Sequence, residues 1–322
     1  MALSNMQVFI NNATDLSLEK LGQKIALFNG ASGGTIRLTG EGFSGDFFQT
    51  SFYNSLTSAQ RRVDRYATNN AQASTDLTQD KYSDVKVAGG FGPILFEPAQ
   101  LSWIQSNEIE ALDVISTSMA EAILSDQLNT SIASLVGAIS NVAGATHDIS
   151  ASAGLTQGAL NTSHAKFGDS SQNLIAQVMR GSTYHKLIGQ NIANAQNLFT
   201  AGDVRVVDIL GKPVVVTDAP ALREAGTPNK EKVLSLASGA ITVGDGSDLI
   251  TNIETSNGKE RIETTMQSDY TFTLSMLGYG WDETNGGKSP TDAELATGSN
   301  WDLFVNDIKH SAGVITISDE DQ

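Results

Sequence analysis

Residues 104–142 read IQSNEIEALDVISTSMAEAILSDQLNTSIASLVGAISNV, and this stretch is the strongest structural signal in the chain. Apolar residues recur in it mostly at intervals of three and four, the period of an amphipathic helix. These residues are Ile109, Leu112, Ile115, Met119, Ile123, Leu128, Ile132, Leu135, Ile139 and Val142. The spacing predicts one helix of about 57 Å at ~1.5 Å per residue. Because no strict heptad with charged flanks is present, we expect a long helix across a sheet or along a shell, not a coiled coil.

The segment before this helix, residues 40–90, combines many polar residues with a cluster of aromatic ones. It is too polar to build its own core, yet its aromatic side chains need burial. We therefore expect a long arm that packs on a neighbouring chain. The residues predicted to make inter-subunit contacts are Phe43, Phe47, Phe48, Phe52, Arg61, Arg62 and Arg65. A solvated basic patch is the alternative for the three arginines, because exposed ion pairs contribute only ~0 to 1 kcal/mol.

Upstream of the arm, residues 28–36 read FNGASGGTI and contain the Gly-x-Ser-x-Gly pattern of serine-hydrolase nucleophiles. A nucleophile elbow needs a strand before the serine and a helix after it. Here a polar, helix-like stretch precedes Ser32, and TIRLTGEGF, which has the pattern of a strand, follows it. We interpret the stretch as an irregular loop in which Gly30, Gly33 and Gly34 supply positive φ angles and Ser32 is solvated.

The chain beyond residue 142 has the pattern of a mixed α/β region. A Gly, Ala and Ser-rich stretch predicts a hinge, and SSQNLIAQVMRGSTYHKLIGQNIANAQ predicts two short helices broken near Gly181. VRVVDILGKPVVVTDAP predicts two strands around a turn. Residues 248–277 predict an Asn-Gly hairpin with Tyr270, Phe272, Leu274 and Met276 on one face. NWDLFVNDIKHSAGVITISD predicts a short helix followed by a strand.

The composition of the chain excludes several classes of function. The chain has 322 residues, 40% of them apolar and 17% charged, which is typical of a folded protein. The absence of cysteine excludes disulfides and thiolate chemistry. A net charge of −16 disfavours sequence-specific nucleic-acid binding, although a container that holds DNA without adhering to it would carry the same charge. The sequence shows neither a signal peptide nor an apolar run long enough to span a membrane.

Motifs that carry chemistry are missing from the sequence. His147, His164, His185 and His310 lie far apart, without the spacing of metal ligands, and we expect surface or capping roles for them. No glycine-rich phosphate loop occurs in the required strand and helix context. We therefore predict no catalytic residue, no metal and no cofactor. A hydrolase built on Ser32 and His310 is the disfavoured alternative.

The order of the predicted elements resembles that of the major capsid proteins of tailed bacteriophages, the Hong Kong 97-type fold shared with encapsulins. VMRGSTYHKLI at residues 178–188 is similar to a helix motif of that family, with Arg180 where the family often has histidine. ILGKPVVVTDAP at 209–220 resembles its strand pair, and SPTDAELATGSNWDLFVNDIKHSAGVITI resembles the close of a capsid-protein subgroup. With FNGASGGTI and the GDFFQTSF arm, the resemblance covers nearly the whole chain. We expect Arg180 to be harmless on a surface helix.

The resemblance implies an α+β fold with an N-arm, an extended loop, a long spine helix in a peripheral domain, and an axial α/β domain. The implied divisions are 1–35 for the N-arm, 36–95 for the extended loop and its base, 96–144 for the peripheral domain with the spine helix, 145–243 for the axial domain, 244–283 for a return to the peripheral domain, and 284–322 for the C-terminal part of the axial domain.

The function implied by the resemblance is that of a coat protein. The chain would assemble as hexamers and pentamers into an icosahedral shell around double-stranded DNA, in the bacterial cytoplasm, and reside in the virion. A portal, decoration proteins and a separate scaffolding protein would be possible partners, and the start of the arm close to Met1 favours a scaffold that is separate or absent. An encapsulin-like compartment with the same fold is the alternative.

Overall fold

The computed structural model describes residues 3–40, 45–53, 60–68, 71–74, 79–194, 212–246, 248–257, 260 and 262–322. Its helices are α1 (Leu3–Ala31), α2 (Pro98–Ser106), α3 (Glu108–Ser140), α4 (Gln157–Ala165), α5 (Gly181–Asn194) and α6 (Asp292–Leu295). Its strands are β1 (Ile36–Thr39), β2 (Phe47–Tyr53), β3 (Gln79–Phe96), β4 (Thr146–Asp148), β5 (Leu174–Met179), β6 (Val214–Val216), β7 (Arg223–Glu224), β8 (Lys230–Ala237), β9 (Ile241–Asp245), β10 (Ile250–Ser256), β11 (Glu263–Met276), β12 (Tyr279–Trp281), β13 (Trp301–Leu303) and β14 (Gly313–Asp319). No helix in these ranges is long and apolar enough to cross a membrane.

The predicted long helix is present, but it is interrupted near its start. Asn107, with φ −132° and ψ 58°, lies between α2 and α3 and lacks helical geometry. The 33 residues of α3 then run without a break for about 50 Å at ~1.5 Å per residue. The chain therefore turns at Asn107, and we call Trp103 to Val114 around this turn the elbow.

The buried face of α3 follows most of the predicted pattern. Met119, Ile123 and Ile132 are buried, as are Leu135 and Ile139 farther along the helix. Ile109 is an exception, because 86% of it is exposed. At this end of α3 the buried positions are Ala111 and Ser116, which places Ile109 on the solvent side. The assignment of Ile109 to the apolar face was wrong.

The first sheet is built around β11, which pairs antiparallel with β3 along one edge and with β10 and β9 along the other. β1 pairs parallel with β9. At the C-terminal end of β11, β12 pairs with β11 and β13 pairs with β12. The predicted hairpin is confirmed as β10 and β11. Tyr270, Phe272, Leu274 and Met276 alternate along β11 and are all buried, as predicted.

The second sheet has the order β4, β14, β8, β5 and β6, with β7 paired to β8. Residues 174–179 form strand β5 in this sheet, so the prediction of two helices around Gly181 was wrong for the first of them. A short apolar run that is buried on both faces has no period that separates strand from helix. Of the predicted strand pair at 204–217, β6 is confirmed, and residues 204–211 lie outside the described ranges.

The C-terminal region differs from its prediction in a similar way. Trp301 to Leu303 form strand β13 instead of a helix, and the predicted terminal strand is confirmed as β14. Arg180 lies just before α5, half-buried, where its guanidinium is 3.1 Å from Glu320. Arg180 is therefore part of an ion pair, not a free residue on a surface helix.

Helix α3 joins the two sheets into one core. Its Leu135 and Ile139 belong to the same apolar cluster as Leu274 of the first sheet and Val314 of the second. The Tyr270 hydroxyl donates a 2.7 Å hydrogen bond to Asp126, which fixes the helix to the first sheet. Along its outer side, α3 packs against α1. Lys20 and Lys24 of α1 form ion pairs with Asp113 and Glu121, each at 2.6 Å.

Glycine permits one especially close approach to α3. A Cβ atom built on Gly137 would lie 2.2 Å from the carbonyl oxygen of Ala296, and one on Gly298 would lie 2.4 Å from the carbonyl oxygen of Gly137. Both contacts are with backbone atoms, which cannot rotate away as a side chain can. The turn after α6 therefore rests directly on the α3 backbone.

We predict that Gly137→Ala destabilises the unassembled chain by ~1 to 3 kcal/mol, because the added methyl group overpacks a backbone contact. Gly22→Ala in α1 is the control, since a Cβ atom added there would have no other atom within 4 Å. The control should stabilise the chain by ~0.5 to 1 kcal/mol through helix propensity. Urea denaturation measures both changes. Equal effects in the two variants would contradict the packing described here.

Candidate assembly surface

The stretch around Ser32 is a helix-to-strand turn. Gly33 and Gly34 have φ angles of 63° and 72°, as predicted, whereas Gly30 lies inside α1 and supplies no turn. Ser32 is buried, so the prediction of a solvated serine was wrong. Its hydroxyl lies 3.4 Å from the carbonyl oxygens of Asn29 and Ile36, because the turn folds the end of α1 onto β1.

This geometry is opposite to that of a hydrolase nucleophile. A helix precedes Ser32 and a strand follows it, whereas the nucleophile elbow of a hydrolase requires a strand before the serine and a helix after it. The serine is enclosed, and the other residue considered for this chemistry, His310, is exposed at the end of a 3-10 turn. Across the ranges that the structure describes, no group of three or more His, Cys, Asp or Glu side chains could hold a metal ion.

His164 differs from its predicted surface or capping role. It is buried at the end of α4, and its Nε2 lies 2.9 Å from the Ser235 hydroxyl. Burial lowers the pKa of His164 to about 4, with a smaller contribution from the charge of Lys212. His164 is therefore a core residue, with a neutral imidazole that forms a hydrogen bond with Ser235. No sequence pattern indicates this burial, because an isolated histidine carries no periodic signal.

The predicted arm begins as a two-stranded ribbon. β2 and β3 pair antiparallel from Phe47 with Val85 to Tyr53 with Gln79, and β3 joins β11 only from Val85 onward. Residues 79–84 of β3 therefore pair with β2 but not with β11, the strand around which the first sheet is built. Glu283 accepts hydrogen bonds from Gln49 and Ser83, which fixes the base of the ribbon.

The seven residues predicted to make inter-subunit contacts lie in different environments in the structure. Phe47 is half-buried and packs against the core of its own chain, while 50% of Phe48 is exposed. The backbone of Phe52 pairs with Asp80, and Phe43 lies outside the described residues. Residues Arg61, Arg62 and Arg65 are exposed in the segment that links β2 to β3. Within the described ranges, no carboxylate forms an ion pair with any of the three arginines.

Sequence reasoning missed two further exposed residues in this linking segment. Val63 is 63% exposed and Tyr66 is 99% exposed, among the three arginines. We call residues 60–68 the arm tip. The signal was visible in the sequence, because Val63 follows the pair Arg61 and Arg62, and Tyr66 follows Arg65. A pattern of nine residues does not, however, distinguish a contact surface from a solvated loop.

Comparison with known proteins identifies the family. Residues 5–315 match the family of Gp13-like major capsid proteins, described as major capsid protein 13-like. The chain belongs to this family. It is a major capsid protein of tailed bacteriophages, as the sequence resemblance implied. No curated protein matches the chain in sequence.

Solved structures show that the capsid protein has the expected Hong Kong 97-type fold. The cyanophage Pam1 capsid matches with a TM-score of 0.53 at 11% identity, over 88% of each chain. The acidic stable capsid of Helicobacter pylori bacteriophage KHP30 matches with a TM-score of 0.51 at 10% identity, over 90% of this chain and 88% of that one. Mycobacterium phage Adephagia matches with a TM-score of 0.51 at 12% identity, over 88% and 87%. The fold prediction is confirmed.

The base of the arm contains a buried carboxyl group. Asp84 of β3 is 7% exposed, and its Oδ1 has no hydrogen-bond partner in the described residues. Burial raises the pKa of Asp84 to about 6, against a smaller lowering by a hydrogen bond from Ser275. Because the pKa is higher in the folded chain than in the unfolded one, ionisation of Asp84 costs stability as the pH rises from about 4 to about 6.

We predict that Asp84→Asn, compared with the wild type, gains up to about 3 kcal/mol of unfolding free energy at pH 8 and nothing at pH 3.5, since one pKa unit corresponds to ~1.4 kcal/mol. Asp282→Asn is the control of opposite sign. The backbone N–H of Thr284 lowers the pKa of Asp282, so this variant should lose stability at pH 8. Denaturant titrations across pH measure both. A difference in unfolding free energy between Asp84→Asn and the wild type that does not change with pH would contradict the burial of this carboxyl group.

We predict that Ser32→Ala folds normally, with a cost of at most ~1 kcal/mol for two long hydrogen bonds. The double variant Gly33→Val, Gly34→Val should lose ~1 to 3 kcal/mol at each site, because valine is strained at positive φ. Thermal unfolding ranks the three proteins. Labelling of Ser32 by a fluorophosphonate probe would overturn the structural interpretation of this turn.

Proposed function

We propose that this capsid protein assembles as hexamers and pentamers into a closed icosahedral shell that encloses phage double-stranded DNA. The arm is the observation that carries the proposal. Its ribbon leaves the sheet, and its tip exposes Val63 and Tyr66 beside three arginines that have no carboxylate partner in the described part of the chain. An isolated monomer gains nothing from such a projection, whereas a shell can bury it between subunits.

The peripheral part of the fold supports the same proposal. Exposed apolar side chains are concentrated there and on the arm, and include Val8, Leu18, Phe48, Val63, Tyr66, Ile94, Leu95, Trp103, Ile109, Val114, Ile250 and Ile262. Among the described residues, the second sheet and its helices expose few by comparison, such as Ile175 and Val216. This distribution is typical of a chain whose peripheral surface is covered by neighbouring subunits.

We assign domains along the divisions expected from the sequence, with one adjustment. Residues 1–35, 36–95 and 96–144 are the N-arm, the extended loop with its base, and the peripheral domain with α3 as its spine. The axial domain would comprise 145–240 and much of 284–322. The segment that returns to the peripheral domain would begin at Ile241 instead of residue 244, because β9 pairs with β1 and β11 in the first sheet.

The proposed role is structural and not enzymatic, and it requires no cofactor. The negative charge of −16 would let the shell hold DNA without sequence-specific binding, since acidic surfaces repel phosphate. Assembly would take place in the bacterial cytoplasm, with the shell retained in the virion. A portal, decoration proteins and a separate scaffolding protein are candidate partners. The seven arm residues predicted from the sequence would contact neighbouring subunits.

We predict that Arg61→Ser, Arg62→Ser and Arg65→Ser together lower the yield of closed shells more than they lower the solubility of the unassembled chain. The physical reason is the loss of charge at an inter-subunit contact. Arg37→Ser on β1, also exposed, should leave the yield unchanged. Sedimentation and electron microscopy of purified protein, with any scaffold present, measure yield. A wild type that stays monomeric would contradict the shell, and a triple variant with full yield would contradict the role of the arginines.

A further inference from the structure

The stretch FNGASGGTI, whose serine lacks the setting of a nucleophile, lies against a free edge of the first sheet. Among the strands that the structure describes, β1 pairs with β9 alone. The N–H of Ile241 in β9 donates to the carbonyl oxygen of Thr35, and alternate residues of a strand direct their backbone groups to opposite sides. The backbone groups of Ile36 and Leu38 therefore point away from β9. Such an edge is a template for pairing with another chain.

The side chain of Asn29 occupies this edge. The backbone N–H of Leu38 donates a 2.9 Å hydrogen bond to Oδ1 of Asn29, and Nδ2 of Asn29 donates a 2.7 Å hydrogen bond to the carbonyl oxygen of Leu38. An asparagine side chain ends in an amide, with the donor and the acceptor of a peptide group. Asn29 therefore makes the two bonds that a residue of an antiparallel neighbouring strand would exchange with Leu38. The Ser32 hydroxyl adds a longer bond of 3.4 Å to the carbonyl oxygen of Ile36.

The turn holds this amide in position. Helix α1 ends at Ala31, and Gly33 and Gly34, both at positive φ, reverse the chain so that the last turn of α1 lies beside β1. The N–H of Gly34 donates to the carbonyl oxygen of Asn29 at 3.2 Å, and the N–H of Gly239 donates to the carbonyl oxygen of Gly34 at 2.8 Å. The turn is thus tied to the helix on one side and to the β8–β9 connection on the other. The last turn of α1 takes the place of a further strand.

We propose that Asn29, assisted by Ser32, is a strand mimic that prevents β1 from pairing with β1 of a second copy of this chain. Asn29 is only half-buried and Arg37 of β1 is exposed, so this edge lies near the surface of the chain. A capsid protein gathers many copies of itself, and edge-to-edge pairing of sheets would compete with the contacts of the shell. The bonds from Asn29 to both backbone groups of Leu38 carry the proposal.

The pairing that Asn29 prevents has a defined geometry. If two β1 strands met antiparallel along their free edges, Ile36 of each copy would lie opposite Leu38 of the other and exchange hydrogen bonds with it. Arg37 would then lie opposite Arg37 of the second copy, as a pair without hydrogen bonds and with Cα atoms about 4.5 Å apart. A disulfide can form at this distance. Because the chain contains no cysteine, a cysteine introduced at position 37 would report this pairing.

Disulfide trapping in the unassembled chain tests the strand mimic. The test variant carries Asn29→Ala and Ser32→Ala with Arg37→Cys, and the reference carries Arg37→Cys alone. Under mild oxidation the test variant should form a covalent dimer about tenfold faster than the reference, the effect of ~1.4 kcal/mol, because the last turn of α1 no longer holds the edge. A non-reducing gel over time measures both rates. Equal rates in the two proteins would overturn the proposal.

A destabilised control separates an open edge from a loosened fold. Gly137→Ala with Arg37→Cys overpacks α3 but leaves Asn29 on β1, so it should form the dimer no faster than the reference. A dimer that forms as fast in this control as in the test variant would overturn the proposal. If the test variant is insoluble, Asn29→Asp with Arg37→Cys decides, because a carboxylate accepts from the N–H of Leu38 but cannot donate to its carbonyl oxygen. A faster dimer than the reference supports the strand mimic, and the reference rate overturns it.

Discussion

One helix that shares its apolar face with two sheets is the constraint on which the rest of the structure depends. Leu135 and Ile139 of α3 pack in a cluster that contains both Leu274 and Val314, so the largest apolar cluster in the described residues joins both sheets through the helix. The hydrogen bond from Tyr270 to Asp126 fixes the helix on the first sheet, and Gly137 brings the turn after α6 onto its backbone. A shift of α3 would therefore disturb both sheets together.

The same arrangement explains why so much apolar surface stays exposed. The middle and C-terminal half of α3 are enclosed by both sheets. Its first turns pack on one side only, against Ile253 and Met266 of the first sheet, and leave Ile109 and Val114 exposed. At the opposite end of β3, the ribbon with β2 leaves the sheet and carries the arm tip outward. Both surfaces are exposed in the single chain. As a major capsid protein of the Gp13-like family, the chain assembles with further copies into a shell, where we expect these surfaces to be covered.

Sequence patterns predicted the parts of the fold that repeat. The 3.6-residue period revealed α3, and the two-residue alternation from Tyr270 to Met276 revealed β11. Sequence patterns failed to predict structure where the buried residues do not recur at a regular interval. Apart from Ile175, the β5 run at 174–179 is buried on both faces, and Ser32 and His164 are isolated polar residues whose burial depends on distant elements. The arginines of the arm were visible in the sequence, but the exposure of Ile109 was not. Ile109 keeps the spacing of the apolar face, and only the burial of Ala111 and Ser116 shows which side of this end of α3 faces the core.

A high-resolution electron-microscopy reconstruction of assembled particles tests the central claim most directly. We predict a closed shell in which each β2–β3 ribbon crosses to a neighbouring subunit, with Arg61, Arg62 or Arg65 within ion-pair distance of a carboxylate of that neighbour. A shell in which every arm tip lies against its own subunit, or in solvent, would contradict this prediction.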